Sequence, residues 1–201
     1  MSSFIKIKIL IIKIMELRPL DARFKLCIFG DGGVGKTTLV NRYITGKFEK
    51  DFKMTIGVEF YTKSLDIGDK RVSLRIWDFA GQSHAQFRNL LSNYISGASG
   101  GIFMYDITRF STIKNIDDWF KILMKGLEDS KHKIPILLVG GKSDLENNRS
   151  VERDFAYEVA ESNSLYDFIE CSSITGNNIE NIFISIASKM LERSSKIPYN
   201  D

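Results

Sequence analysis

A glycine-rich loop stands between a short apolar run and a segment with helical periodicity, and this order constrains the fold more than any other feature of the chain. The loop reads GDGGVGKT over residues 30–37, after the apolar run 24–29 and before the helical pattern at 38–44. Glycines let backbone N–H groups converge on phosphate oxygens, and a helix N-terminus adds partial positive charge. The sequence therefore predicts a phosphate-binding loop in an α/β fold, with a nucleoside triphosphate as its ligand.

Two side chains at the end of this loop carry specific chemistry. Lys36 is expected to neutralise the β- and γ-phosphates, and the Thr37 hydroxyl is expected to ligate Mg²⁺. The predicted phosphate-loop contacts are Gly30, Asp31, Gly32, Gly33, Val34, Gly35, Lys36, Thr37 and Thr38. A glycine-rich turn without a ligand is the alternative, and a complete motif between a strand and a helix disfavours it.

Short apolar runs alternate with longer amphipathic runs along the chain, which predicts a three-layer fold: a six-stranded, mostly parallel sheet with five helices on its two faces. The predicted strands are 24–29, 58–67, 72–79, 101–106, 135–140 and 167–171. The predicted helices are 36–45, 86–96, 112–127, 151–162 and 178–193. A polar turn at 68–70 separates the second and third strands, so these two are expected to form an antiparallel hairpin.

Size and composition are typical of one globular domain. The chain has 201 residues, of which 43% are hydrophobic and 26% charged, and its net charge of +3 is too small to indicate nucleic-acid binding. Cys27 and Cys171 lie in separate apolar runs without metal-ligand spacing, so we interpret them as reduced thiols of the core of a cytoplasmic protein. The predicted domain spans 24–193, between an extension at 1–23 and a short tail at 194–201.

The extension contains an apolar segment at 4–15 that is interrupted by three lysines. It is too short to span a bilayer and lacks the charged start and cleavage site of a signal peptide. Three interpretations stay open: a segment that lies in a membrane interface, an added strand or helix on the domain, or a true start of the protein at Met15. No cysteine follows Cys171, so prenylation is not expected, and peripheral membrane contact would involve 4–15.

Polar residues follow the third predicted strand, at the edge of the sheet where ligands of open α/β folds bind. Asp78 is placed to hold a Mg²⁺-bound water, and Gly81 lets a backbone N–H approach a γ-phosphate. An aspartate at a strand end that serves only as a turn or helix cap is the alternative. The complete phosphate loop favours the metal interpretation.

Polar residues also follow the fifth and sixth predicted strands. Asp144 is placed to accept two hydrogen bonds from one edge of a heterocycle, with the stem of Lys142 over its face. Guanine offers such a pair of donors and adenine does not. The turn at 172–174 carries backbone N–H groups that suit the guanine carbonyl oxygen, although that turn alone is uninformative.

These motifs resemble those of the Ras superfamily of small GTPases, and of its Rab branch in particular. The likeness runs from Phe24 to Glu192. It rests on GDGGVGKT at 30–37, TIGVEF at 55–60, WDFAGQ at 77–82, FRNLLSNYISGASGGIFMYDIT at 87–108, GKSD at 141–144 and ECSSITG at 170–176.

The resemblance implies a role for each matching residue. Thr37 and Thr55 would ligate Mg²⁺ directly, and Asp78 would hold the metal through water. Gly81 would sense the γ-phosphate, and Gln82 would be the catalytic residue that orients the attacking water. The residues implied around the base are Phe48, Lys142, Asp144, Ser172, Ser173 and Ile174.

The function implied by the resemblance is a slow GTPase, monomeric and dependent on Mg²⁺, that alternates between GTP and GDP. Switch I, around 48–57, and switch II, around 80–91, would then control effector binding in membrane trafficking or signalling. An exchange factor and a GTPase-activating protein would regulate it, because no arginine finger is evident in cis. Two alternatives stay open: a GTP-binding interaction module with little or no hydrolysis, and an ATP-using P-loop kinase or ATPase.

Three departures from the family pattern qualify these roles. Gly141 stands where the family has an asparagine that braces the base loop, so weaker nucleotide binding is expected, and Gly141→Asn is expected to tighten it. Ile174 replaces a lysine. Switch II lacks the glutamate after Gln82, carries about two extra residues, and contains His84, which we interpret as a solvated loop residue rather than a base.

Overall fold

A six-stranded sheet forms the centre of the molecule. The structure is a computed structural model that describes residues 18–49, 54–81, 91–128 and 133–196. The strands are β1 Ala22–Phe29, β2 Val58–Ile67, β3 Lys70–Phe79, β4 Gly100–Asp106, β5 Ile136–Gly141 and β6 Asp167–Glu170. Their order is β2-β3-β1-β4-β5-β6, and β2 pairs antiparallel to β3 while all other neighbours are parallel. The predicted mostly parallel sheet with one antiparallel strand is confirmed.

Helices cover both faces of this sheet. The α-helices within the described ranges are α1 Lys36–Thr45, α2 at 91–95, α3 Ser111–Lys114, α4 Ile116–Gly126, α5 Arg153–Ser162 and α6 Ile179–Lys196, and a 3₁₀ helix spans Ser143–Asn148. The first half of the helix predicted at 86–96 lies outside the described residues. The same holds for Gln82, for 1–17 and for 197–201.

The helix predicted at 112–127 is divided, so six α-helical segments are described where five were predicted. Asn115 interrupts it with ψ near zero, at 7°. Its side-chain amide donates to Asp31 at 2.7 Å, in the phosphate loop. Asparagine is a weak helix former whose side chain competes for local hydrogen bonds, and the periodicity of the apolar residues does not reveal such a break.

Strand β1 shows how the two faces of the core are built. Leu26 and Ile28 belong to a cluster packed with α1 and α6, whereas Cys27 and Phe29 belong to a second cluster packed with α4 and α5. Side chains alternate between the faces of a strand, so one short apolar run serves both layers. Cys27 is fully buried and free, as is Cys171, and burial raises the pKa of each thiol to about 12.

The carboxyl ends of β1, β3, β4 and β5 meet at one edge of the sheet. The phosphate loop follows β1, Ala80 and Gly81 follow β3, and Lys142 follows β5. This arrangement places the predicted site residues around a common space. None of the helices in the described ranges combines the length and the apolar character that a membrane span requires.

Candidate nucleotide-binding site

A cavity of about 460 Å³ opens at this edge of the sheet. It is lined by Gly32, Gly33, Val34, Gly35, Lys36, Thr37, Thr38, Phe48, Met54, Thr55, Phe79, Gly81, Met104, Lys142, Asp144, Leu145, Ser173 and Ile174. Residues from every predicted motif in the described part of the chain therefore share one cavity. Gly30, Asp31, Asp78 and Ser172 do not line it but contact residues that do.

The phosphate loop takes a conformation that suits glycine. Gly33 and Gly35 have φ values of 73° and 106°, in the left-handed region, and Gly35 is the residue from which α1 begins. The first turn of α1 contains no acidic residue, so no carboxylate opposes the positive end of the helix dipole. The loop therefore presents a helix N-terminus to the cavity, the arrangement that binds phosphate groups.

Lys36 is buried and lies folded against its own loop. Its ammonium group donates to the carbonyl oxygens of Gly30 at 2.7 Å and Asp31 at 2.8 Å. Burial lowers the pKa of Lys36 to about 8, although the nearby charges of Asp78 and Asp31 oppose this shift. A bound polyphosphate would favour the charged form in the same way, because an anion close to the ammonium stabilises it.

Three oxygen-bearing side chains from three segments meet beside Lys36. The Thr37 hydroxyl donates to Oδ2 of Asp78 at 2.5 Å, and lies 2.6 Å from the Thr55 hydroxyl. Asp78 is fully buried, and its Oδ1 has no hydrogen-bond partner among the residues that the structure describes. Burial raises the pKa of Asp78 to about 6, against the opposing effects of the Thr37 hydrogen bond and the Lys36 charge.

This donor set fits a magnesium ion. Mg²⁺ binds oxygen ligands and keeps several waters, and it is held by one or two protein groups together with substrate phosphates. An unpartnered buried carboxylate oxygen beside two hydroxyls is such a partial set. The described residues contain no cluster of three or more His, Cys, Asp or Glu side chains, which is the pattern of an all-protein metal cage.

The far end of the cavity is formed by the base loop, residues 141–145, and the turn at 172–174. The Ser172 hydroxyl donates to Oδ1 of Asp144 at 2.5 Å, and the backbone N–H of Ser143 donates to the Cys171 carbonyl at 2.9 Å. Asp144 is thereby oriented by the neighbouring turn. Lys142 has φ of 67°, and Ile174 is half exposed at the cavity mouth.

Gly81 makes the closest approach between two of the predicted motifs. A Cβ atom at this position would lie 2.3 Å from the backbone nitrogen of Gly32 and 2.5 Å from the carbonyl oxygen of Asp31. No side chain fits there without moving the phosphate loop. The start of switch II therefore lies beside the phosphate loop at Gly81, directly before Gln82 in the sequence.

Gly141 has an environment that the sequence did not reveal. Its φ is not positive, and a Cβ atom there would lie 2.5 Å from the terminal methyl of Met104 and 2.9 Å from the carbonyl oxygen of Val34. Met104 is buried in β4 and lines the cavity. The space beside residue 141 is thus filled by a methionine methyl, which changes the expectation that Gly141→Asn simply restores a missing contact.

Sequence reasoning missed the cavity-lining residues Met54, Phe79, Leu145 and Met104, and also Asp106, which contacts Lys142. Met104 and Asp106 both lie at the carboxyl end of β4, a central strand for whose end no ligand contact was predicted. The rule that ligands bind beyond strand ends would have drawn attention to Asp106. The position of the Met104 methyl depends on packing between strands and has no signal in the sequence.

Comparisons with known proteins agree with this geometry. The model of the Ras family matches residues 25–192. The chain is 40% identical over 176 residues to the Ras-related protein RABA1c of Arabidopsis thaliana, covering 88% of this chain and 79% of that protein. It is 39% identical over 175 residues to the Ras-related protein rab-11.1 of Caenorhabditis elegans, covering 87% and 80% respectively. The Ras-related protein Rab11B of Nicotiana tabacum is 39% identical over 170 residues, 85% of this chain and 76% of the relative. The chain therefore belongs to the Ras family, as a Rab-like small GTPase that binds GTP and GDP with Mg²⁺ and hydrolyses GTP.

Proposed function

We propose that this chain is a switch in membrane trafficking. Binding of the γ-phosphate of GTP in the cavity changes the conformation of an apolar surface beside it. The single observation that carries the proposal is the position of Thr55. Its buried hydroxyl meets Thr37 inside the site, while the residues before and after it, Met54 and Ile56, are 72% and 88% exposed. One short segment therefore faces both the nucleotide cavity and the solvent.

The residues of the cavity have distinct roles in this proposal. Lys36 and the amides of Gly33 to Gly35 bind the phosphates, and Thr37, Thr55 and Asp78 hold Mg²⁺, which neutralises phosphate charge when bound. Asp144, oriented by Ser172, selects guanine. Hydrolysis then consists of in-line attack of water, with catalysis by positioning and charge neutralisation.

Gln82 has the role of orienting the attacking water, and it follows directly after Gly81. The described residues around the phosphate loop offer one arginine, Arg109, which is engaged by Asp106 and by the Gly32 carbonyl. We therefore propose that fast hydrolysis depends on an arginine from an activating protein, an effect worth about 10³–10⁵ in rate for GTPases of this type.

The surface beside Thr55 is the proposed effector surface. Phe60 is 59% exposed and packs its ring against Trp77 at a centroid distance of 4.6 Å, and Trp77 lies 5.9 Å from Tyr94. The ammonium of Lys25 lies 3.6 Å from the Trp77 ring centroid. Exposed aromatic side chains that are held in fixed positions are typical anchors of protein interfaces. The proposed partner is a protein with a complementary apolar patch.

Identification of the bound nucleotide tests the proposal most directly. The purified chain is denatured and the released nucleotide is separated by chromatography, and GTP and ATP are compared as competitors for the same site. We expect guanine nucleotide and no displacement by ATP. Retention of adenine nucleotide would contradict the roles given to Asp144 and Ser172.

The coupling to the surface is tested with a slowly hydrolysed GTP analogue. Partners captured by the analogue-loaded protein and lost in the GDP form should also be lost on Ile56→Ala or Phe60→Ala. Tyr157→Ala removes an exposed aromatic ring on α5 and serves as the matched control. Equal capture by both nucleotide forms would contradict the switch.

Residues 4–15, outside the described part of the chain, are the basis for a proposal on localisation. We propose that this apolar segment with its lysines gives a cytoplasmic protein peripheral contact with anionic membranes. The test is cosedimentation of the full chain and of a variant beginning at Met15 with vesicles of anionic phospholipid. Equal sedimentation of the two proteins would contradict the proposal.

A further inference from the structure

Asp106 lies beside Gly141 in the sheet. The two are register partners in the β4–β5 ladder, where the strands end at the nucleotide cavity. Gly141 has no side chain that could link the base loop to the phosphate loop. Its neighbour across the ladder has a carboxylate that is only 1% exposed.

Both carboxylate oxygens of Asp106 accept hydrogen bonds. Oδ1 accepts hydrogen bonds from the backbone N–H and the hydroxyl of Thr108, at 2.9 and 2.7 Å. Oδ2 accepts from the ammonium of Lys142 at 2.6 Å and from Nε of Arg109 at 3.0 Å. Burial alone would raise the pKa of Asp106, but the hydrogen bonds from Lys142 and Thr108 outweigh it and leave the pKa below its ordinary value. The carboxylate is therefore charged and fixed in place.

Arg109 continues the connection to the phosphate loop. While its Nε donates to Asp106, its terminal nitrogen donates to the Gly32 carbonyl at 2.9 Å. A guanidinium group has a rigid planar fork, so it can hold two acceptors in a fixed relation. The result is a series of contacts from Lys142 through Asp106 and Arg109 to Gly32, which we name the ionic bridge.

The ionic bridge joins the two loops that hold opposite ends of a nucleotide. Other side-chain contacts of the phosphate loop lead elsewhere: Asp31 accepts from Asn115 and Trp119, at 2.7 and 2.9 Å, at the start of α4, and Thr37 contacts Thr55 and Asp78. Release of a nucleotide requires the loops to separate or loosen. A connection between them thus opposes release from either end.

We propose that Asp106 and Arg109 are positioning residues that couple the base loop to the phosphate loop and thereby set the rate at which GDP leaves. The inference rests on the proposed function only in that the cavity holds a guanine nucleotide. It predicts that this chain retains its nucleotide through a charged connection where residue 141 provides none.

Arg109→Ala is the primary test, because the side chain is 43% exposed and its loss spares the core. Release of a fluorescent GDP is measured with Mg²⁺ present. Loss of hydrogen bonds to a charged group should accelerate release about 10-fold. Lys121→Ala is the matched control, since Lys121 also forms an ion pair at three-residue spacing, with Asp118 at 3.0 Å, away from the cavity.

If the contacts of the ionic bridge act in series, the GDP release rates of combined variants provide a second test. Asp106→Asn should also accelerate release, and the double variant Asp106→Asn with Arg109→Ala should release GDP no faster than Asp106→Asn alone. Arg109→Lys should release GDP more slowly than Arg109→Ala but still faster than the wild type, because an ammonium group lacks the planar fork of a guanidinium group. Added salt should accelerate release from the wild type and have less effect on Arg109→Ala, because ionic contacts that are partly exposed are screened.

The outcomes separate the two proposals. A wild type that fails to retain GDP contradicts the proposed function itself. A wild type that retains GDP, with Arg109→Ala releasing it within about threefold of Lys121→Ala, overturns the ionic bridge. Strictly additive effects of the two substitutions would also overturn it, because independent contacts do not form a series.

Discussion

Replacement of Gly141 by asparagine tests whether packing or hydrogen bonding limits nucleotide retention. From the family pattern alone, Gly141→Asn should tighten binding. In the structure, the new Cβ would lie 2.5 Å from the Met104 methyl and 2.9 Å from the Val34 carbonyl oxygen. The first contact can move, because methionine has three rotatable bonds, whereas the second belongs to the backbone of the phosphate loop.

The steric cost and the hydrogen-bond energies decide whether Gly141→Asn slows or accelerates GDP release. Overpacking of a close site costs about 1–3 kcal/mol, and each new neutral hydrogen bond of the amide contributes about 0.5–1.5 kcal/mol. One or two hydrogen bonds therefore contribute about 0.5–3 kcal/mol, which at best offsets a steric cost of the same size. We expect Gly141→Asn alone to release GDP as fast as the wild type or faster.

The addition of Met104→Val to Gly141→Asn should reverse the effect of the asparagine on GDP release. It removes the sulfur and the terminal methyl and introduces a β-branched residue, a type that strands favour, so the asparagine gains the space that the end of the methionine occupied. The double variant should then release GDP more slowly than either single variant. Coupling energies of neighbouring residues are about 0.5–3 kcal/mol, and a value near 1.4 kcal/mol corresponds to about tenfold in release rate.

The assay is release of fluorescent GDP with Mg²⁺ from the wild type, both single variants and the double variant. Gly141→Ala is the control that adds the Cβ without the amide. Slower release from Gly141→Asn alone, equal to that of the double variant, would refute the reasoning, because it would show that Met104 does not compete for the space.

Three further predictions concern the phosphates, catalysis and pH. Lys36→Ala should weaken both nucleotides and Thr37→Asn should favour the GDP-bound or empty form, so wild-type affinity of either variant for a slowly hydrolysed GTP analogue would contradict the phosphate-loop roles. Gln82→Leu should leave binding intact and lower the hydrolysis rate at least about tenfold, or about 1.4 kcal/mol of transition-state stabilisation; an unchanged rate would show that another group orients the water. Because the hydrogen bonds from Lys142 and Thr108 hold the pKa of Asp106 below its ordinary value, the stabilisation by the charged carboxylate is fully present above that ordinary value and is lost as the pH falls through the lowered pKa. The ratio of GDP release rates of Asp106→Asn and wild type should therefore be constant between about pH 5 and 8, and a ratio that fell toward one at the acidic end would contradict this assignment.

The sheet and the phosphate loop could be predicted from the sequence because their signals are local. Leu26 to Phe29 form a continuous apolar run that serves two core clusters, and such runs mark buried parallel strands. Three glycines of the loop, Gly30, Gly33 and Gly35, stand where φ is positive. Each of these signals depends on residues that are neighbours in the chain.

Features that depend on contacts between strands and loops could not be predicted. The break at Asn115 coincides with a hydrogen bond to Asp31, 84 residues away in sequence. The 3₁₀ helix at Ser143–Asn148 lacks the length for a clear apolar period. The methyl of Met104 and the carboxylate of Asp106 became relevant only when the β4–β5 register placed them beside Gly141.

The environment of Gly141 shows how one departure from a family pattern is accommodated by two different physical means. Met104 fills the volume and Asp106 supplies the connection between loops, yet neither replaces the other. A methyl group occupies the space beside Gly141 but cannot donate a hydrogen bond, and a carboxylate connects charged groups but does not fill that space. A single substitution at residue 141 therefore changes the packing and leaves the ionic bridge intact, while Arg109→Ala does the reverse. The two perturbations should act independently on GDP release, so their effects should add in a variant that carries both.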